Sequence, residues 1–316
     1  GTLSIGNSFD NVSGALTANS GTIKITSALT SRTIRLSGSS LANLLIAGTG
    51  SFTIPDANAT ATADVLFTSG TTTLPATTFA VGGSFIVSGT GAFDALTNIV
   101  KFNPTSGTKT VSPFRSIFSN VGIAGPAPAT VSITANATAT AFTIFSGNFA
   151  QGSATDLWIT GTFTNLTGGA STTWTGSTLK LMSGTEYAIN AKTTGGDAYN
   201  VLFLGANTKI KSWNSSASSY TINSSAYYYS QDHASVDGAL NIFGAYARTA
   251  GTEYWSAQTD FDGTALATSS HRTANVRFEA SATANFTNVG LEIVGTSTAT
   301  TTIDRISSGS FGITVA

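Results

Sequence analysis

The chain of 316 residues contains no cysteine and only two histidines. A disulfide framework and a thiolate metal site are therefore excluded, because both require cysteine sulfur. Two histidines are too few for a histidine-rich metal site and make a Ser-His-Asp triad a poor hypothesis. No Gly-x-Ser-x-Gly nucleophile turn is present either. The sequence accordingly predicts no metal ion, no cofactor and no enzymatic activity.

Charge is also scarce. Charged residues make up 9% of the chain, against about 25% in typical soluble domains. The formal net charge is −1, and lysine and arginine form no cluster. Nucleic acids and anionic membranes require such clusters, so both are excluded as partners. No apolar run approaches the roughly 18 residues of a membrane-spanning helix, so no membrane span is predicted.

Serine, threonine, alanine and glycine dominate what is present. Threonine, valine, isoleucine and phenylalanine favour strands, whereas glycine and asparagine favour turns. Short runs in which polar and apolar residues alternate, such as 22–25 and 33–36, are typical of short strands. No window of useful length has a continuous helical periodicity. The sequence therefore predicts an all-β fold.

Two short patterns recur at the same distance along the chain. The first is a basic residue between two apolar residues, and it is carried by Lys24 and Lys101. The second is an asparagine followed by a mainly apolar run, and it is carried by Asn43 and Asn120. The separation of the two lysines is identical to that of the two asparagines. This shared offset indicates internal duplication.

A longer identity supports the same period. The hexamer Ala-Asn-Ala-Thr-Ala-Thr at 57–62 recurs at 135–140, an offset only one position longer than that of the short patterns. We therefore place complete repeats at about 41–119 and 120–199. A tandem of β-sandwich domains would need about 100 residues for each copy. A parallel β-solenoid would fit three or four coils of roughly 20–25 residues into each repeat.

The elongated parallel β-solenoid with internal repeats of about 78 residues is the preferred prediction. The apparent strands are short, and no proline-rich linker separates the copies. Tandem β-sandwich domains remain the alternative. The stretches 161–166 and 118–121 resemble repeats of large bacterial cell-surface and autotransporter-like β-solenoid proteins, in which Gly-x-Phe-x-Asn and Phe-x-Asn-Leu coils are frequent. This resemblance implies an extracellular or cell-surface location and a structural or adhesive role.

The repeat breaks down from about residue 206. Arg277 carries the next copy of the basic pattern after Lys180, and it arrives roughly 18 residues later than the period predicts. The excess residues form an insertion that lies within 212–262. We divide the chain into a repetitive solenoid at 1–211, an aromatic-rich insertion at 212–262 and resumed solenoid with assembly strands at 263–316.

The insertion carries two sets of candidate site residues. Its aromatic side chains could stack on sugar rings as a glycan-binding surface or form a small core under a loop. Its carboxylates could in principle serve a polysaccharide-acting enzyme, although such enzymes need a groove with more charge than this chain offers. The aromatic residues are Trp213, Tyr227, Tyr228, Tyr229, Tyr254 and Trp255, and the carboxylates are Asp232, Asp237, Glu253, Asp260 and Asp262.

Both ends of the chain resemble strands without polar caps. An uncovered terminal coil is an open sheet edge, which can pair with another strand. Such an edge is expected where the native chain continues or where subunits mate end to end. We predict a subunit or segment of an extracellular filament, sheath or surface adhesin that assembles end to end with copies of itself. Glycans or a host or cell surface are the alternative partners. The predicted assembly residues are Leu3, Ile5, Phe311, Ile313 and Val315.

Ice binding is a less favoured alternative. Flat ladders of Thr-x-Thr can order water, and the low charge of the chain fits such a surface. The Thr-x-Thr pairs are irregularly spaced along the sequence, however, and strand propensity explains them equally well.

Overall fold

A computed structural model shows that the chain is an all-β protein built from parallel strands. The structure describes residues 1–17, 19–167, 171–174 and 176–182 in full, and after residue 182 it describes only the backbone of the strands. No α-helix occurs in the described residues. Two compact units, Gly1–Trp158 and Ile159–Ala316, divide the chain and are described separately.

The strands of the first unit are short and closely spaced along the sequence. Residues alternate along most of these strands between buried and more exposed positions, as the polar and apolar alternation predicts. The strands are β1 (Thr2–Ile5), β2 (Phe9–Asp10), β3 (Thr22–Ile25), β4 (Arg32–Arg35), β5 (Ser40–Leu41), β6 (Asn43–Ile46), β7 (Ser51–Thr53), β8 (Asn58–Ala61), β9 (Val65–Phe67), β10 (Thr71–Thr73), β11 (Thr78–Val81), β12 (Phe85–Val87), β13 (Ala92–Asp94), β14 (Ile99–Phe102), β15 (Thr108–Ser112), β16 (Phe118–Ala124), β17 (Thr130–Ile133), β18 (Ala137–Ser146) and β19 (Asn148–Gln151).

These strands form three parallel sheets that wind around one core. The first sheet has the order β1-β3-β6-β9-β12-β15-β17-β19, the second β13-β10-β7-β4-β2, and the third β18-β16-β14-β11-β8-β5. Each of the second to fifth coils contributes one strand to every sheet. Later coils of this unit have no strand in the second sheet, and β18 lengthens to 10 residues. This arrangement is a parallel β-solenoid, which confirms the predicted fold class over the tandem-sandwich alternative.

Successive coils stack in register. Ile23 pairs with Leu44, Leu44 with Val65 and Val65 with Phe85, so one coil takes roughly 20 residues. These four side chains point inward and are buried. Because parallel strands lie about 4.8 Å apart, each inward column becomes a continuous row of apolar groups.

Aromatic rings fill the centre of the middle coils. Phe67, Phe85, Phe93, Phe102 and Phe118 form one cluster, with neighbouring ring centroids 4.9–6.2 Å apart. Most pairs are tilted or edge-to-face, the geometry that aromatic quadrupoles favour. Burial of each such side chain contributes about 1.5–3 kcal/mol relative to its exposure. The core of the first unit is therefore held together mainly by stacking between coils.

The asparagines of the repeated pattern join neighbouring coils at the corners. The Nδ2 group of Asn43 donates to two carbonyl oxygens of the preceding coil, at 3.2 and 3.3 Å. Asn120 makes the same pair of hydrogen bonds, both at 3.1 Å. In each pair one of the two carbonyl oxygens also accepts the backbone N–H of the same asparagine, so the side-chain amide adds to the backbone pairing between the two coils. The repeated asparagine is thus a structural residue of the corner.

The second unit also consists of parallel strands, and β20 begins in the first unit. One sheet contains β22-β24-β26-β28-β31-β33, with β29 also paired to β26, and another contains β23-β25-β27-β30-β32-β34. The strands are β20 (Asp156–Asn165), β21 (Thr172–Thr173), β22 (Thr178–Leu181), β23 (Glu186–Ile189), β24 (Tyr199–Leu204), β25 (Lys209–Ser212), β26 (Tyr220–Ser230), β27 (Ser235–Asp237), β28 (Leu240–Ile242), β29 (Ala245–Arg248), β30 (Thr252–Trp255), β31 (Thr259–Phe261), β32 (Asn275–Phe278), β33 (Ala284–Asn285) and β34 (Thr302–Arg305).

The predicted insertion at 212–262 contains strands of both these sheets. Its strands β26 and β28 pair in parallel, as do β27 and β30. The limits of 1–211, 212–262 and 263–316 remain predictions.

Candidate functional site

The predicted assembly residues Leu3 and Ile5 lie in β1, the terminal strand of the first sheet. Leu3 pairs with Ile23, and Ile5 pairs with Ile25, so both side chains occupy inward columns. Leu3 is nevertheless 53% exposed, whereas Ile23 is 6% exposed and Ile25 is fully buried. The difference arises because β1 has a neighbouring coil on one side only among the described strands.

The backbone of the first coil is likewise paired on one side. The N–H groups of Thr22 and Thr26 donate to the carbonyl oxygens of Gly1 and Ile5, at 2.9 and 2.8 Å. These bonds hold β1 against β3, and no second described strand pairs with β1. A parallel strand uses alternate residues for each of its two neighbours, so the other half of the β1 peptide groups faces away from β3.

Sequence reasoning missed one inward residue at this end. Phe9 in β2 pairs with the buried Ile34 and is itself half-exposed. We use the name first-coil face for the surface formed by Leu3, Ile5 and Phe9. Leu3, Ile5 and Phe9 all occupy positions that later coils fill with buried side chains. The alternation of polar and apolar residues in the first coil could therefore have identified Phe9 as an inward residue.

No protein-family model, curated protein or solved structure matches the chain. The first-coil face must therefore be interpreted from its own chemistry. It combines inward apolar side chains with backbone groups that have no described strand partner on one side. Contacts between coils in the first unit are made in the same way, by apolar packing inside and backbone pairing between strands.

Most of the other predicted site residues lie outside the part of the chain whose side chains the structure describes. Three aromatic residues belong to β26 and two to β30, where only the backbone is described. Trp213 and the three predicted assembly residues near the C-terminus are outside the described residues altogether. The glycan-binding prediction therefore stays a prediction. These residues are Tyr227, Tyr228, Tyr229, Tyr254, Trp255, Trp213, Phe311, Ile313 and Val315.

The carboxylates named for polysaccharide chemistry have a similar status. Asp237, Glu253 and Asp260 belong to strands whose backbone alone is described, while Asp232 and Asp262 lie outside the described residues.

In the fully described part, aspartate side chains accept backbone N–H groups at turns. Asp56 accepts the N–H groups of Leu36 and Ser37 at 2.8 Å each, and Asp64 accepts that of Ser84 at 2.7 Å. No group of three or more potential metal ligands occurs among the described residues. In the same residues, no helix is long and apolar enough to cross a membrane.

A small hydroxyl array lies on the outer surface of the second sheet. Thr33 pairs with Thr53, Thr53 with Thr73, and Ser51 with Thr71. The side chains therefore form two columns, separated by about 7 Å along the strand and about 4.8 Å between coils. The next coil replaces this pattern with Ala92 and Asp94, so the array ends after three coils.

Proposed function

We propose that the chain is a structural subunit or segment of an extracellular filament, sheath or surface adhesin, and that it assembles end to end with copies of itself through the first-coil face. The observation that carries the proposal is the exposure of Leu3 in a column whose next members are buried. The proposed role is structural and requires no enzymatic activity.

Stacking of another coil on this face would repeat a contact that the protein already makes. Covering Leu3 would transfer the exposed half of its side chain from water to an apolar surface, which stabilises by about half of the roughly 1.5–3 kcal/mol of a fully buried leucine. The outward peptide groups of β1 would gain strand partners at the same time. Both contributions favour association, and the directionality of the backbone pairing favours growth along the solenoid axis.

The incoming strand must satisfy a simple pattern. It needs apolar residues two positions apart, so that both side chains meet Leu3 and Ile5 on the inward side. Phe311, Ile313 and Val315 have this spacing in the sequence, and we propose that they supply the partner strand.

The first-coil face can be tested with two aspartate variants of the same strand. Leu3→Asp places a charge on the inward side, whereas Ser4→Asp places it on the exposed outer side of β1. We expect wild-type protein and Ser4→Asp to form end-to-end rods in negative-stain electron microscopy, and Leu3→Asp to remain in single particles. Equal association of the two variants would refute the assignment of this face.

Ice binding has one observation in its favour, the hydroxyl array on β4, β7 and β10. The array covers only three coils. We therefore place it second to end-to-end assembly. Thermal hysteresis that disappears in Thr53→Tyr would support it, and its absence from the wild-type protein would dismiss it.

A further inference from the structure

A second exposed apolar surface lies away from the first-coil face. Leu96, Phe114 and Ile117 are 51%, 46% and 59% exposed. They lie on the fifth and sixth coils, at the corner that follows the last strand of the second sheet. We call these three residues the corner patch. Half of the large exposed apolar side chains in the fully described residues fall between positions 96 and 145, so such exposure is concentrated in this region.

The backbone brings Leu96 and Ile117 of the corner patch together. The N–H of Phe93 donates to Oγ of Ser116 at 2.9 Å, and Ile99 pairs with Asn120 in the third sheet. In the sequence, Leu96 lies between Phe93 and Ile99, and Ile117 lies between Ser116 and Asn120. The two side chains therefore occupy neighbouring coils, whose spacing is about 4.8 Å.

The conformation of the corner is unfavourable for large residues. Leu96 and Phe114 have φ values of 50° and 54°, in the left-handed region where glycine or asparagine is the usual choice. Each position thus combines backbone strain with solvent exposure of an apolar side chain. Stability and solubility would both be served better by a small polar residue. Strain kept at an exposed position points to a binding role.

Charges of both signs flank the corner patch. The Arg115 guanidinium lies 5.1 Å from the centroid of the Phe114 ring, and Asp94 is exposed two residues before Leu96. Neither Arg115 nor Asp94 has an ion-pair partner in the described part of the chain. An apolar centre with charges at its rim is the usual anatomy of a protein interface. Asp94 Oδ1 accepts the N–H of Leu96 at 3.0 Å, so an acidic group is held beside Leu96 and a basic group beside Phe114. A second copy of the same surface would therefore offer a charge of opposite sign to each of them.

We infer that the corner patch is a lateral interface between two copies of this chain, related by a two-fold axis. Leu96, Phe114 and Ile117 of one copy would pack against the same residues of the other, and each Arg115 would face Asp94 across the axis. Symmetric pairing of one patch with itself is the commonest form of homo-oligomer contact. The interface differs from end-to-end stacking because it would join chains side by side.

The small size of the patch sets the expected strength. Three half-exposed side chains offer well below the roughly 800 Å² per partner of a standard interface. A single pair of chains should therefore associate weakly. Chains already aligned in a filament would present many such contacts together, and multivalency would raise the apparent affinity of the lateral contact.

The test uses full-length chains that carry Leu3→Asp, so that end-to-end growth is removed. Sedimentation velocity over two orders of magnitude in protein concentration, up to about 1 mM because the contact is expected to be weak, should show a monomer–dimer equilibrium. Adding Ile117→Asp should lower the association constant by about tenfold or more, and Arg115→Asp should also lower it. Leu29→Asp is the matched control, because Leu29 is 55% exposed at another corner. Unchanged thermal unfolding would show that each variant is folded.

Three results would overturn the inference. These are a monomer at every concentration, dimerisation that Ile117→Asp leaves unchanged, and equal loss of dimerisation in the Leu29→Asp control. Co-sedimentation of the Leu3→Asp monomer with neutral phosphatidylcholine vesicles, lost in Ile117→Asp, would instead assign the patch to a lipid surface. Failure of this experiment leaves end-to-end assembly untouched, because rods of wild-type protein and their loss in Leu3→Asp are measured separately.

Discussion

Thr72 presents a buried hydroxyl group among aromatic side chains. It lies in the middle of β10, pairs with Phe52 on one side and Phe93 on the other, and is completely buried. Its Oγ1 has no hydrogen-bond partner among the described residues. The inward column therefore contains a polar group between two phenylalanines. We predict that Thr72→Val stabilises the protein, because valine keeps the branched shape and removes the unsatisfied hydroxyl.

The magnitude follows from the cost of burying a hydroxyl without a partner. Mutational data place that cost at about 1–3 kcal/mol, and the replacement methyl adds favourable apolar burial. We expect a gain of about 1–3 kcal/mol in the free energy of unfolding. For a unit of this size, each kcal/mol raises the melting temperature by about 2–4 °C.

Calorimetry and urea unfolding of the full chain measure the effect, with two control variants. Thr72→Ser keeps the hydroxyl but removes a buried methyl group, so it should destabilise. Thr53→Val changes an exposed outer position of the neighbouring strand and should change the free energy of unfolding by less than about 0.5 kcal/mol. A loss of stability in Thr72→Val would refute the reasoning and show that the hydroxyl makes a stabilising hydrogen bond.

Two further predictions concern the backbone. Ser116→Ala should lower the free energy of unfolding by about 1–3 kcal/mol, because the buried N–H of Phe93 loses its acceptor. Ser88→Ala, at an exposed position, is the control, and equal urea midpoints would contradict the assignment. Gly50→Ala should destabilise by about 1–3 kcal/mol or more, because the new Cβ would overlap a backbone carbonyl of the preceding coil. Gly6→Ala meets no atom within 4 Å, so a melting temperature lowered equally in both variants would exclude the steric explanation.

Local alternation was sufficient to predict which side of a strand faces inward. Ile23 and Ile25 are buried, and Lys24 between them faces outward. The same holds for Lys101 between Val100 and Phe102. The basic residue of the repeated pattern is therefore the solvent-facing residue of a strand, as the sequence predicts. This success depends on the two-residue period of a strand, which needs no knowledge of the neighbouring coils.

The sequence could not predict which local patterns would stack on one another. Thr72 lies between two other threonines, so no alternation in the sequence marks it as an inward residue. The coil nevertheless places it inside, between two phenylalanines. Leu96 and Ile117 are apolar, yet the corner turns both outward. Burial at these positions is decided by contacts between residues one coil apart, and a strand pattern carries no information about such contacts.

The candidate site was predicted only in part. Leu3 is exposed at an inward position and Phe9 belongs to the same surface, but the assembly role of Leu3 and Ile5 stays a prediction. The charges and left-handed residues of the corner patch carried no recognisable sequence signal, because φ depends on the corner that the fold creates. Leu96 looks like an ordinary core residue until its coil is known.

The offset between the repeated patterns has a geometric consequence. Lys24 lies in the first sheet and Lys101 in the third, and the same is true of Asn43 and Asn120. The duplicated unit therefore spans nearly four turns of the solenoid. It is shorter than four full turns by about one of the three sheets that make up a turn. The two copies are thus related by a screw operation. Duplicated outer residues therefore point in different directions around the solenoid axis. Copies of the same outer residue are distributed over different sheets, so they do not line up as a long array on one sheet.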